Sequence, residues 1–190
     1  MSDELLEGYT RPIGALLSEN EADRHFQRLD MLMEFSRLFD YAEASDRAVA
    51  IVGPAFLDTL LSQTLIEFFV DNHKEVQRLL QPEGPLGTYG SRITACYCLG
   101  LIGPTITSDL RIVGKIRNRF AHDLRASFAD QAIIQWCRAL RWHREVFISE
   151  VPASATDRDL FQVGVNQLVT YLNAVPGIAR SKKRTAVIDA

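Results

Sequence analysis

The chain has 190 residues, of which 47% are hydrophobic and 24% charged, which is enough apolar material for one buried core. A formal net charge of −3 excludes a general attraction to nucleic acid, so such binding would need a local basic patch. Three cysteines, an odd number, favour a reducing compartment. The acidic start is not a signal peptide, and Gly53-Pro54, Asp58 and Glu67 break the most apolar stretch too often for a membrane span. We therefore expect a soluble, cytoplasmic protein.

Helical periodicity recurs along the chain and strict strand alternation hardly occurs, which predicts an all-α, single-domain bundle of about six to seven helices. An N-terminal arm comes first. Its apolar stripe consists of Phe26, Leu29, Met33 and Leu38. Residues 46–70 then form a segment that is apolar nearly all round, which is typical of a central helix contacted on several sides. Pro54 should bend this helix near Gly53 or begin a new one.

The later predicted helices alternate with turn-rich segments. They cover residues 73–80, 91–101, a segment capped by Thr107 or Ser108, 131–147 and 157–172. His73 and His143 are expected at the surface or at helix ends, and the run from Arg180 to Arg184 predicts a basic, mobile end. The chain thus divides into an N-terminal helical arm (1–45), a helical domain (46–175) and a basic, mobile tail (176–190).

The most informative stretch is Arg117-Asn118-Arg119-Phe120-Ala121-His122. On a helix, Arg117 falls inside the arc of the apolar neighbours, whereas Asn118 and His122 lie together on the opposite side. A guanidinium keeps its proton, so a buried Arg117 must meet a carboxylate, carbonyls or a bound anion. Asp58 and Glu67 are the candidates for a structural ion pair with it. His122 would then interact with the terminal carbonyls of its helix.

Several separated blocks of the sequence resemble the mannitol operon repressor family of bacterial regulators. They are Asp46-Arg47-Ala48, Leu57-Asp58, Gly84-Pro85-Leu86-Gly87, Ser91-Arg92-Ile93, Leu99-Gly100-Leu101-Ile102, Asp109-Leu110, Ile116-Arg117-Asn118 and Phe120-Ala121-His122. The resemblance spans residues 46–130. It implies an all-helical, dimeric, cytoplasmic protein that represses transcription through protein contacts and lacks a recognisable DNA-reading motif.

A shorter resemblance lies inside the first. Arg117-Asn118 with His122 is similar to the signature of HEPN domains, many of which are metal-independent endoribonucleases that act as dimers. His122 would move a proton, Arg117 would stabilise charge on the phosphoryl oxygens, and Asn118 would orient either group. Residues five apart differ by about 140° around a helix. This chemistry therefore requires a two-fold dimer, or a helix that ends before His122.

We therefore predict a homodimeric transcriptional regulator that binds a protein partner through its helix faces and the surface of Arg117, Arg119 and His122. The alternative is a metal-independent endoribonuclease with Arg117, Asn118 and His122 as catalytic residues, for which RNA is the partner. A structural dimer that neutralises a toxin is a third possibility. We expect no cofactor, no membrane contact and no sequence-specific reading of DNA. No metal site is expected, since Cys96 and Cys98 point to different faces of one helix.

Overall fold

The computed structural model of the chain describes residues 30, 32, 33, 35–37, 39, 44–146, 152 and 154–187. Seven helices follow one another from residue 46 onward, and this described part contains no strand, which confirms the predicted all-α class. The helices are α1 (Asp46–Phe68), α2 (His73–Leu80), α3 (Tyr89–Cys98), α4 (Pro104–His122), α5 (Gln131–Ala139), α6 (Trp142–Val146) and α7 (Asp157–Ser181).

Helix α1 lies at the centre, with α7 along one side and α3 and α4 against the other. Its N-terminus is capped by the Ser45 hydroxyl, which accepts a hydrogen bond from the Ala48 N–H. Pro54 lies inside the continuous helix and does not begin a new one. By length and composition α1 could cross a membrane, but most of its side chains are buried among the other helices. An apolar helix of this kind is what the core of a soluble protein requires.

Aromatic rings connect the N-terminal arm to the core. The buried Phe35 ring stacks on Phe56 of α1 at 4.6 Å between centroids and on Phe39 at 4.8 Å. The Phe39 carbonyl accepts a hydrogen bond of 2.8 Å from Gln162 Nε2 of α7. Met33, in contrast, is 73% exposed, so it does not belong to a buried stripe. The other three members of the predicted stripe, Phe26, Leu29 and Leu38, lie outside the described residues.

The predicted helix over residues 131–147 is two helices, because the backbone at Leu140 is extended. Asp109 of α4 explains this break. Its Oδ2 accepts hydrogen bonds from the backbone N–H groups of Arg141 (2.9 Å) and Trp142 (2.7 Å), so α6 begins on a side chain from another helix. The predicted cap of α4 at Thr107 or Ser108 is also wrong. That helix starts at Pro104, since proline at the first position lacks only an N–H that would have no helical partner.

Helix α7 continues to Ser181, past residue 172, with Pro176 inside it. The predicted tail is therefore helical in its first part, and its basic side chains are held by α1 and the segment after it. Arg180 forms two hydrogen bonds of 2.9 Å to Glu67, and Lys183 Nζ lies 2.5 Å from Asp71. These contacts correct the expectation of a mobile tail at Arg180 and Lys183, because each of these two cations has a carboxylate partner from another part of the fold.

Candidate functional site

Helix α4 turns a basic face to solvent. Leu110, Val113 and Ile116 bury its apolar side in the core. The exposed side, together with Arg117 at its border, is called the basic face below; it consists of Arg111, Lys115, Arg117, Arg119 and His122. No carboxylate of the described residues lies within ion-pair distance of Arg111, Lys115 or Arg117. The face thus offers positive charge that the described part of the chain leaves largely uncompensated.

Arg117 is exposed, so its place inside the apolar arc does not carry its side chain into the core. It lies next to Ile116 at the border of the apolar arc, and a long side chain at a border can extend to solvent. Its Nη1 donates to Asn118 Oδ1 over 3.1 Å. A helical wheel places the Cα of a residue but not the end of an arginine, so the apolar arc alone does not determine where the guanidinium lies.

The buried arginine is Arg92 of α3, and sequence reasoning missed its role. Its Nη1 lies 2.7 Å from both carboxylate oxygens of Asp58, while its other nitrogens donate to the carbonyls of Leu80, at the end of α2, and Leu86, in the following loop. Asp58 therefore pairs with Arg92 and not with Arg117, and Glu67 pairs with Arg180. The available signal was Asp58 itself, an acid inside an apolar helix that needed a cation from another helix.

A cleft of about 850 Å³ lies between α1, α3 and α4. Asp58 and Arg92 lie at its wall, and Arg111, Lys115 and Arg117 line it from α4. Burial raises the pKa of Asp58, although the nearby Arg92 and Arg117 charges act in the opposite direction. A second hollow of about 340 Å³ adjoins the first and shares Arg111 and Lys115 with it. The two cations therefore stand where a ligand in either hollow would meet them.

Tyr89, the first residue of α3, also lines the cleft. Its ring packs on Gly114 of α4, where an added Cβ would meet ring carbons at 3.1 and 3.2 Å. Its hydroxyl is shielded from solvent and has no hydrogen-bond partner among the described residues. Burial and the Asp58 charge raise the pKa of Tyr89 well above its usual value, so the group stays a neutral donor. A shielded donor without a partner is a costly feature for a folded protein.

His122 is the last residue of α4 and is exposed. The carbonyls at the end of this helix are bound by Arg47 of α1, which donates to Phe120 O and, over 2.9 Å, to Asp123 O. Arg119 pairs with Asp123 at 3.0 Å. The helix is continuous from Arg117 to His122, so the two side chains leave it in directions about 140° apart. One chain does not bring the proposed ribonuclease residues together, and the two-fold dimer remains a prediction.

Cysteine and metal chemistry find little support in the described part of the chain. No group of three or more His, Cys, Asp or Glu side chains there could hold a metal ion. Cys96 and Cys137 are buried, and burial raises the pKa of each thiol to about 12, so both remain protonated packing residues. Cys98 is free and exposed on the other side of α3.

Comparison with known proteins identifies the family. In the X-ray structure of the MtlR–HPr complex from Escherichia coli, one chain has the same fold, with a TM-score of 0.53 and 18% sequence identity. The match covers 77% of this chain and 98% of that one. No match was found among proteins with curated functions. The family described as mannitol repressor matches residues 46–175, more than half of the sequence. This chain therefore belongs to the mannitol repressor family.

Proposed function

We propose that this protein is a transcriptional regulator that represses its target by binding another protein. The family match over residues 46–175 carries the proposal. The overall charge of −3 argues against DNA as the principal partner, because the phosphate backbone supplies most of the affinity of DNA-binding proteins. A related fold has been seen in a complex with HPr, which makes the HPr of the same organism the first partner to test.

The basic face of α4 is the interface we propose for that partner. Its cations project from a helix whose apolar side is fixed in the core and whose last carbonyls are held by Arg47, so they are presented on a rigid element. An acidic surface on the partner would complement it, and such complementarity raises association rates and selects partners. A homodimer belongs to the same proposal, since it would present two such faces.

The function is tested by transcript profiling of a strain that lacks the gene, complemented with the wild type or with Arg117→Glu. We expect transcripts of one operon to rise in the deletion strain and to fall again with the wild type but not with Arg117→Glu. The matched control is Arg125→Glu, which reverses the charge of another exposed arginine outside the basic face. Unchanged transcript levels in the deletion strain would refute the proposal that this protein regulates transcription. Equal repression by both arginine variants would instead refute the interface.

The ribonuclease interpretation is not adopted. The family match supports a repressor, and the continuous helix separates Arg117 from His122 within one chain. Incubation of the purified protein with mixed RNA in the presence of a chelator should leave the RNA intact.

A further inference from the structure

The cleft between α1, α3 and α4 has the size and composition of a small-molecule site. Its volume of about 850 Å³ lies within the range of typical ligand pockets, roughly 300–1,000 Å³. Its wall combines apolar side chains such as Ile93 and Leu80 with a few convergent polar groups. Pockets that bind small molecules share this arrangement, in which apolar contacts supply area and polar groups fix orientation.

The charges of the cleft are divided between its wall and its rim. At the wall, Arg92 is already committed to Asp58 and to carbonyls of α2 and the following loop, and Asp58 keeps a side chain that is 31% exposed. At the rim, Arg111 and Lys115 are exposed and have no carboxylate partner among the described residues. An anionic group would therefore bind at the rim. The Asp58 carboxylate repels anions but accepts hydrogen bonds from hydroxyl groups.

Tyr89 supplies an independent observation. Its hydroxyl is shielded from solvent, has no partner, and lies close enough to Asp58 and Arg117 for both charges to affect its pKa. Leaving such a donor unpaired costs free energy that one hydrogen bond would recover. The ring rests against Gly114, which has no side chain to separate α3 from α4 at this point. An oxygen atom of a ligand in the cleft could accept this hydrogen bond.

We propose that the cleft binds a small, hydroxylated organic anion, with its phosphate or carboxylate at Arg111 and Lys115 and its hydroxyl groups toward Asp58 and Tyr89. The site is formed within one chain and does not depend on the proposed regulatory function. A ligand here would lie against the inner edge of the basic face, since Lys115 and Arg117 belong to both. Ligand binding would thereby change the charge that a protein partner meets.

The test is a thermal-unfolding titration of the full chain with glucose 6-phosphate, gluconate, inorganic phosphate and glucose. We expect a saturable rise in Tm with glucose 6-phosphate or gluconate, and a smaller rise or none with glucose, which lacks the anionic group. A comparison of the first two probes distinguishes a phosphate from a carboxylate as the anion. No saturable rise with any anionic probe would overturn the proposal.

Three variants locate the site. The double variant Arg111→Glu and Lys115→Glu should weaken the affinity for the stabilising probe by at least about tenfold, since it removes charge-assisted contacts. Arg125→Glu, outside the cleft, should retain the wild-type affinity. Tyr89→Phe should raise the Tm of the free protein, because it removes an unpaired buried hydroxyl. It should also lower the affinity for the stabilising probe roughly fivefold, because the ligand loses its hydrogen bond to that hydroxyl. Wild-type affinity in the double variant or in Tyr89→Phe, or equal loss in Arg125→Glu, would overturn the assignment.

Discussion

Arg92 shows how one side chain can organise several elements. Its Nε donates to Leu86 O over 2.9 Å and its Nη2 to Leu80 O over 2.9 Å, while Nη1 meets the Asp58 carboxylate. The end of α2 and the loop before α3 are thus bound through a single guanidinium to the central helix. Arginine suits this position because its five donors form a rigid, planar fork. A lysine could not reach the same set of acceptors.

Arg92→Ala should destabilise the protein by about 3 kcal/mol, because it leaves a largely buried carboxylate and several carbonyls without donors. The matched control is Arg78→Ala, whose ion pair with Glu75 has side chains 59% and 55% exposed. That change should cost less than about 0.5 kcal/mol. Urea denaturation of both variants beside the wild type measures the difference. Similar losses for the two variants would show that the Arg92 network does not stabilise the fold.

His143 lies at the start of α6, one of the two positions predicted for it, but it is 1% exposed and so is not a surface residue. Neither ring nitrogen has a hydrogen-bond partner among the described residues. Burial, aided by the Arg144 charge, lowers the pKa of the imidazole, although Asp109 acts in the opposite direction. The unfolded chain therefore binds this proton more readily than the folded one. Stability present above the ordinary pKa of about 6.5 is lost as the pH falls toward the lower folded value.

The free energy of unfolding should therefore decrease between about pH 7.5 and pH 5, and His143→Leu should make that decrease smaller. Other groups titrate over the same range, so the informative quantity is the difference between variant and wild type. His73→Gln, which changes an exposed histidine at the start of α2, serves as the control. Identical profiles for His143→Leu and the wild type would exclude His143 as the titrating group.

Asp58 illustrates what the sequence predicts at this scale. An acid inside an apolar helix requires a cation, and that inference follows from charge burial alone. The choice of Arg117 as its partner was wrong, since periodicity describes one helix at a time. Arg92 reaches Asp58 only after α3 has packed on α1, since the two residues are 34 positions apart in sequence. Contacts between helices are set by packing geometry, which a single sequence does not display.

The crossing of α1 and α7 depends on a close approach at Gly53. A Cβ added there would lie 2.8 Å from Phe39 Cε2 and 2.9 Å from Val165 Cγ1, below normal van der Waals distances. Both neighbours are fully buried, so neither side chain can move aside into solvent. The arm residue Phe39 thus fits against the surface that the missing side chain leaves open. Glycine lowers the intrinsic helix stability at this position in exchange for this packing.

Gly53→Ala should destabilise the protein by about 1–3 kcal/mol through overpacking, despite the better helix propensity of alanine. Gly177→Ala in α7 is the opposite case, because no atom lies within 4 Å of the added Cβ. It should stabilise the protein by about 0.5–1 kcal/mol. Chemical denaturation of the two variants measures whether the free energy of unfolding falls for Gly53→Ala and rises for Gly177→Ala. A stable Gly53→Ala protein would show that the arm does not pack tightly on α1 and α7 in solution.

The elements themselves were largely predictable from periodicity, and their ends were not. The apolar pattern located α1 and the segment of α4, since both bury many residues. The break between α5 and α6 depends on Asp109, more than thirty residues before it, and had no local signal. The last helix was predicted to end at residue 172, but α7 continues to Ser181 with Pro176 inside it. Its buried neighbours and the Arg180–Glu67 pair nevertheless support the helix through that position.

The whole molecule separates its charges. The chain is acidic overall, with a net charge of −3, yet the exposed side of α4 carries several cations and no exposed carboxylate. Its only acid, Asp109, is buried and binds the start of α6. A local field of this kind would favour association with an acidic partner. This separation was not evident from composition, which predicted only that a local patch would be needed.

Association with an acidic partner through the basic face should depend strongly on salt. Because the screening length falls from about 10 Å at 0.1 M to about 3 Å at 1 M, the association rate should drop by roughly tenfold or more over that range. The dissociation rate should change much less, since steering acts before contact. Surface plasmon resonance with immobilised HPr of the same organism measures both rates.

Lys115→Glu should slow association and weaken the salt dependence of the association rate. Lys182→Glu, at the exposed end of α7, should leave the association rate and its salt dependence unchanged. Saturable binding whose association rate is insensitive to salt would place the partner on another surface while leaving the regulatory function intact.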